Sequence, residues 1–285
     1  MVLSNEPLVA VAAQGLIRIR ALVAYDGKDF SGWGMQPDRR TIQGELESAL
    51  AIFLRLDRVI VQCAGRTDAG VHAVGQVIHF DMPAQSLIDM GDLAYRINAI
   101  LPEDISIKEM EVTAPDFDAR FAALSRSYEY LIHQGIRNPL LRDRTHHSYL
   151  PLDVPAMHDA SQVLVGLHDF AAFCRKREGA TTVRTLLRFD WSVAPDGLIK
   201  AQLQADAFCY SMVRGLIGAV LAIGEGKYDK AWLQRYLAGR EREAHVFAAP
   251  ALGLTFIDVQ YPDPSDYAKR ITETLQARGT DTLES

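Results

Sequence analysis

Apolar residues in this chain recur mainly at every second position, seldom in unbroken blocks, and no other feature constrains the fold as much. Ile17, Ile19, Ala21 and Val23 alternate with Arg18, Arg20 and Leu22. Successive side chains of a strand point to opposite faces, so this run offers one face to a core and keeps the other for something else. Strands of parallel α/β sheets are buried on both faces and read as continuous apolar runs. Antiparallel sheets in an α+β arrangement are therefore expected. The same reading places strands over 59–63, 74–81, 105–112, 127–133, 182–193, 198–208 and 254–259. The runs 182–193 and 198–208 flank Pro195-Asp196-Gly197, a turn sequence, and should pair. Helical spacing predicts a helix capped by Thr41 with Ile42, Leu46, Ala49, Leu50, Phe53 and Leu54 on one face. Further helices are expected over 88–99 and 156–167, and a buried one over 211–223.

These elements group into two α+β halves, 16–115 and 116–262, with no low-complexity linker between them. Residues 1–15 read as a disordered leader and 263–285 as a peripheral polar tail. The apolar stretch of the leader has no basic n-region and is interrupted by Gln14, which argues against a signal peptide. The longest apolar run, 215–224, is bounded by Arg214 and Glu225 and falls well short of the roughly 20 residues a membrane helix needs. Cys63, Cys174 and Cys209 are odd in number and widely spaced. That argues against a disulfide framework and a Cys-based zinc site, and points to the reducing cytoplasm. The formal net charge of −6 by itself disfavours a nucleic-acid partner. Distribution matters more than the total. Residues 118–188 carry more Lys and Arg than Asp and Glu, with Arg137, Arg142 and Arg144 in one group and Arg175, Lys176 and Arg177 in another.

One stretch stands apart, Gly65-Arg66-Thr67-Asp68-Ala69-Gly70-Val71-His72-Ala73, between two predicted strands. Its two glycines imply a tight loop with special backbone dihedrals. A carboxylate held beside an arginine stays ionised, and an ionised carboxylate in a rigid loop serves as nucleophile or base. A turn in which Asp68 merely caps backbone N–H groups is the plainer reading, and the residues alone leave both open. Other motifs lead nowhere. Gly224-Glu225-Gly226-Lys227 lacks the Ser or Thr that a phosphate-binding loop places after its lysine. Gly215-Leu216-Ile217-Gly218 lies inside an apolar helical pattern and reads as close helix packing. No metal motif and no dinucleotide fingerprint is present, so neither metal nor cofactor is expected.

The loop resembles the signature of the tRNA pseudouridine synthase A family. The resemblance extends to Tyr25-Asp26-Gly27, Phe30-Ser31-Gly32-Trp33, Gln36-Pro37 and Thr41-Ile42-Gln43-Gly44. It continues through Gly75-Gln76-Val77-Ile78-His79-Phe80, Asn98, Leu101-Pro102-Glu103-Asp104-Ile105, Arg120-Phe121 and Arg126-Ser127-Tyr128-Glu129-Tyr130. Gly166-Leu167-His168-Asp169-Phe170, the run 208–218 and Ala249-Pro250-Ala251-Leu252-Gly253-Leu254 complete it. Gly34 and Ala251 depart from the residues common in the family, where Gln and a second Pro are usual.

The resemblance implies two RRM/ferredoxin-like α+β halves whose antiparallel sheets join into one extended mixed sheet, the pseudouridine synthase fold. It implies isomerisation of uridine to pseudouridine in the anticodon stem-loop of tRNA, at positions 38 to 40, by a cofactor-free homodimer. Asp68 would be the catalytic carboxylate, acting on a flipped-out uridine. Arg66 would fill the vacated stack and hold the phosphate backbone. Tyr128 would lie under the uracil, Arg214 would pair with Asp68, and Leu254 would pack on the ring. Arg66, Arg126, Arg175 and Arg177 would contact RNA. Two alternatives are a synthase of the same fold with a different RNA target and a non-catalytic RNA-binding protein. A glycoside hydrolase needs paired carboxylates, and Asp68 has no convincing partner in the sequence.

Overall fold

In a computed structural model, residues 15–87, 90–175, 181–239 and 248–277 are described. The expected leader, Gly15 apart, lies outside them, as does Arg177. The chain divides into two compact units, Met1–Leu124 with Asp258–Ala277, and Ser125–Ile257.

The first unit runs β1 (Leu16–Tyr25), α1 (Ile42–Leu54), β2 (Gln62–Cys63), β3 (His72–Pro83), α2 (Met90–Asn98) and β4 (Ile105–Val112). The strands lie in the order β4-β1-β3-β2, each pair antiparallel. That is the split βαβ arrangement of ferredoxin-like domains. In β1 the alternation works as read: Ile17, Ile19, Ala21, Val23 and Tyr25 are buried. From the other face Arg18 reaches Asp81 on β3 and Arg20 reaches Glu111 on β4. Thr41 caps α1, its hydroxyl accepting from the Gly44 N–H, and Arg55 in the left-handed region ends the helix. The strand expected over 59–63 shrinks to two residues. The Val61 N–H donates to the buried Glu47 carboxylate rather than to a neighbouring strand, so its backbone leaves the ladder. Asn98 replaces a strand partner at the end of α2, its amide bonding both the N–H and the carbonyl of Ile107 at 2.8 Å. The stretch after Pro262, read as a polar tail, contains α6 (Tyr267–Ala277) within this unit. Tyr267 anchors it, buried with its ring 5.1 Å from that of Phe117.

The second unit contains β5 (Ser125–Gln134), β6 (His146–Ser148), α3 (Val154–Ser161), β7 (Gly166–Asp169), β8 (Val183–Val193) and β9 (Ile199–Ala205). Then follow α4 (Met212–Gly224), α5 (Lys230–Gly239) and β10 (Leu254–Gln260), whose last residues belong to the first unit. β5, β9, β8 and β7 form an antiparallel series, and β6 adds to β5 in parallel, so the sheet is mixed. The β8–β9 hairpin turns at 194–198 as predicted. The helix expected over 156–167 stops at Ser161. The Ser161 hydroxyl and the Gln162 amide both donate to the Phe189 carbonyl, and Gly166, at φ +116°, redirects the chain into β7. Within α4, a Cβ on Gly215 would meet the Phe173 carbonyl oxygen at 2.4 Å, the close packing read from the sequence. The fold class is α+β throughout, as expected.

The cysteines require a correction. Cys174 and Cys209, 35 residues apart in sequence, form a disulfide within the second unit, with Cα atoms 6.0 Å apart. Sequence spacing hides the pair because the Arg175 N–H bonds the Tyr210 carbonyl and brings two loops together.

Candidate active site

The stretch from Ala64 to Val71 links β2 to β3 in a hairpin. Asp68-Ala69-Gly70-Val71 is a β-turn closed by the Val71 N–H on the Asp68 carbonyl at 3.2 Å. Gly70 has φ +82°, the value a type II turn asks of its third residue. Gly65 has no positive φ, so only one of the two loop glycines is needed for its dihedrals.

The loop is strapped from below. Gln76, fully buried on β3, donates to the Gly65 carbonyl at 2.7 Å. The buried Thr67 hydroxyl lies 2.9 Å from the Tyr25 hydroxyl, and the Thr67 carbonyl accepts from the Trp33 N–H at 3.0 Å. Burial pushes the Tyr25 hydroxyl well above the ordinary tyrosine range, so it stays protonated. Two glycines press the segment after β1 against the loop. A Cβ on Gly27 would stand 1.9 Å from the Val71 carbonyl oxygen, and one on Gly32, at φ +98°, 3.0 Å from that of Thr67. This gives Asp26-Gly27 and Ser31-Gly32, read from sequence only as turns, a second reason: no larger residue allows the approach. Asp104 holds the far side of that segment. Its carbonyl accepts from the Asp26 N–H, and its carboxylate grips the Arg40 guanidinium at 2.6 and 2.8 Å.

On this base Asp68 is half-buried and Arg66 exposed. A Cβ on Gly34 would lie in ordinary contact with the Arg66 side chain, at 3.8 Å, so the departure at that position borders Arg66. Cys63, just before the loop, is not a rival nucleophile. Burial pushes its thiol up to about 12, and the charges of Arg66 and Arg120 only partly oppose that.

The other sequence-nominated residues lie in the second unit. Tyr128 projects from β5, opposite Leu203 on β9. Its ring is held edge-on by Phe208 at 5.2 Å and by Phe256 at 4.8 Å. Tyr130, two residues on, is wholly buried, and burial pushes its hydroxyl far up despite the nearby Arg214 charge. Arg214, half-buried in the first turn of α4, is clamped to Ala249. Its Nε donates to the Ala249 carbonyl at 2.7 Å, and the Ala249 N–H returns a bond to the Arg214 carbonyl at 2.8 Å. Leu254 is buried at the start of β10. Just before it, a Cβ on Gly253 would meet the Leu131 carbonyl oxygen at 2.8 Å and the Tyr130 ring at 2.9 Å. Arg126, expected to contact RNA, is instead only 4% exposed and donates to the Asp206 carbonyl at 2.7 Å, so its guanidinium is taken up within the fold. Arg175 is exposed, its guanidinium 5.5 Å from the centre of the Tyr210 ring.

The structure thus gathers Arg66, Thr67 and Asp68 on one loop, and Tyr128, Arg214 and Leu254 in the other unit. Tyr25, Thr67, Gln76, Phe208, Phe256 and Ala249 support these residues and received no role from the sequence. Five of them fall inside the quoted motif blocks and Phe256 lies two residues past the last, and that proximity was the available signal.

A family model described as tRNA pseudouridine synthase matches residues 21–122 and 160–262. A protein of Frankia casuarinae named tRNA pseudouridine synthase A is 50% identical over 266 residues, spanning 93% of this chain and 96% of its own. Its namesake in Streptomyces griseus is 44% identical over 272 residues, spanning 94% and 96%. That of Mycobacterium leprae is 40% identical over 278 residues, spanning 93% and 96%. The chain belongs to the tRNA pseudouridine synthase family. It is an enzyme of the isomerase class, and its reaction is the conversion of uridine to pseudouridine in tRNA. Among the described residues no helix is long and apolar enough to cross a membrane.

Proposed function

We propose that the enzyme acts on the anticodon stem-loop of tRNA, at positions 38 to 40, and that Asp68 is its catalytic carboxylate. The observation that carries this reading is the loop itself. A hairpin turn with a half-buried aspartate at its tip, an exposed arginine two residues earlier and a buried polar scaffold beneath is built to present one carboxylate. The reaction breaks N1–C1′, turns the uracil, joins C5 to C1′, releases the C5 proton and returns a proton to N1, which ends as N1–H. Atoms and electrons balance without a second substrate or a redox partner. Attack at C1′, addition to the ring and removal of a ribose proton all start from an ionised carboxylate beside the glycosidic bond.

The target base must leave the stack, because C5 and C1′ cannot be rejoined inside it. Arg66 fills the vacated space and holds the backbone; its planar, permanently charged head suits both tasks. Tyr128 supplies a stacking platform, an interaction worth about 1–3 kcal/mol per base. Arg214 supplies positive charge to the reacting centre, and Leu254 an apolar contact for the ring. Arg175 meets phosphate from the surface. Arg126, bonded to the Asp206 carbonyl, steadies the loop that leads to Phe208. The working form is a homodimer in the cytoplasm.

The test is tritium release from tRNA carrying 5-tritiated uridine. Wild-type protein should release tritium, and Asp68→Ala should not while still binding tRNA. Mapping the product should place pseudouridine at positions 38 to 40. Full activity in Asp68→Ala would remove Asp68 from the chemistry, and product elsewhere would remove the anticodon assignment.

A further inference from the structure

We propose that Gln76 is a positioning residue for the Asp68 carboxylate, working through the Gly65 carbonyl and a hydrogen-bond chain from Gln76 through Tyr25 to Thr67. The inference rests on the catalytic role of Asp68 proposed above.

The orientation of the Gln76 amide follows from its partners. Gln76 Nε2 lies 2.7 Å from the Gly65 carbonyl oxygen and 3.4 Å from the Tyr25 hydroxyl. Turning the amide over would set two oxygens against each other, so the nitrogen stays where it is. One amide hydrogen goes to Gly65 and the other to Tyr25 Oη. Tyr25 Oη then accepts from Gln76 and is joined to Thr67 Oγ1 by a hydrogen bond of 2.9 Å that either hydroxyl can donate. Thr67 is the residue immediately before Asp68. Gln76 thus fixes the loop at its first residue and, at one remove, beside the carboxylate.

A second observation separates this from ordinary core packing. Gln76 Oε1 is buried and has no hydrogen-bond partner among the described residues. Such a group destabilises a fold, and an apolar side chain on β3 would avoid the loss. The amide's use lies in its donors: one bonds the loop backbone at Gly65, and the other bonds Tyr25 on β1, which in turn reaches Thr67 in the loop. Small errors in the placement of a reacting group are costly, since a misplacement of about 1 Å lowers rates by roughly a hundredfold.

The experiment compares wild type with Tyr25→Phe, Thr67→Val, Thr67→Ser and Gln76→Leu as full-length proteins. Tritium release gives kcat and KM well below each melting temperature. Amide hydrogen exchange of the segment 65–72 gives the order of the loop. Gln76→Leu, Tyr25→Phe and Thr67→Val should each lower kcat by roughly ten- to a hundredfold, and wild-type kcat in a folded Gln76→Leu would overturn the proposal. KM for tRNA should stay within about twofold, the mark of an interaction that matters in the transition state. Thr67→Ser should recover most of the rate, because it restores the hydroxyl. Exchange at Val71, whose N–H closes the turn on Asp68, should quicken without a matching fall in melting temperature. Wild-type kcat in Tyr25→Phe and Thr67→Val, or equal losses in Thr67→Val and Thr67→Ser, would overturn the proposal. If Gln76→Leu does not fold, the hydroxyl variants decide. If wild type releases no tritium, the reading of the reaction falls, and exchange in 65–72 alone decides: unchanged protection in the hydroxyl variants then refutes positioning.

Discussion

The two units hold their candidate residues by different physics. In the first, the Asp68 loop rests on directed bonds from Gln76, Tyr25 and Trp33 and on two close backbone approaches. In the second, Tyr128 is packed against two phenylalanine rings, while Arg214 and Arg126 each bond a backbone carbonyl. A nucleophile or base must be aimed, and hydrogen bonds aim because they weaken steeply off axis. A stacking platform must only be kept flat and in place, and dense packing does that. In the first unit, then, a change of polarity at constant shape should do the damage. In the second, a change of shape should.

The largest effect that would break this contrast is at Asp68. Asp68→Asn keeps the shape and removes the charge, and should lower tritium release on the order of a thousandfold or more while leaving the melting temperature nearly unchanged. The corresponding change in the second unit, Tyr128→Phe, keeps the ring and its two edge contacts and should leave tRNA binding nearly intact. Equal losses of tritium release in the two variants would erase the distinction.

Next come the glycines, which test the backbone approaches directly. Gly27→Ala puts a carbon 1.9 Å from a carbonyl oxygen that cannot swing away, and should destabilise the fold by about 3 kcal/mol. Gly253→Ala meets backbone at 2.8 Å and an aromatic edge at 2.9 Å, and should lose about 1 kcal/mol by the same denaturation measurement. A reversed order would place the tighter scaffold in the second unit.

Smaller still are the ring edges. Phe256→Leu and Phe208→Leu each remove one edge contact to Tyr128, worth about 1 kcal/mol beyond the lost area. Stability should fall modestly and KM for tRNA should rise a few-fold, with kcat less affected. A fall in kcat at constant KM would mean that Tyr128 is aimed as strictly as Asp68.

The same contrast explains what the sequence reveals. Alternation exposed β1, and Thr41 announced α1, because both follow from local chemistry that the structure preserves. The helix over 156–167 overran its true end because the bonds of Ser161 and Gln162 to Phe189 come from 27 and 28 residues away. The strand over 59–63 was shortened by Glu47, a side chain on another element. The active loop was legible as a motif, and Asp68 with it. Its straps were not, since Tyr25 and Gln76 lie 42 and 11 residues from their partners in the loop. The Cys174–Cys209 pair escaped for the same reason.

The cysteines give the smallest effect on activity and a last way to sharpen the comparison. Cys63 sits under the active loop of the first unit, and the disulfide ties two loops of the second. Burial raises the Cys63 thiol from 9.0 to about 12, so the folded protein holds that proton more tightly than the unfolded chain. The resulting stability is present below pH 9 and is lost as pH rises toward about 12. A thiol reagent at pH 8 should therefore find almost nothing to react with in the native protein. After denaturation without reductant it should find one thiol, and after reduction all three. Three thiols without reductant would show that Cys174 and Cys209 stand side by side unbonded. Cys63→Ala should lower kcat by no more than about twofold, because sulfur is a weak acceptor and its bond from the Gly65 backbone is backed by the Gln76 bond to the same residue. A larger loss of rate there would mean that packing as well as hydrogen bonding aims Asp68, and the two units would then differ less than their contacts imply.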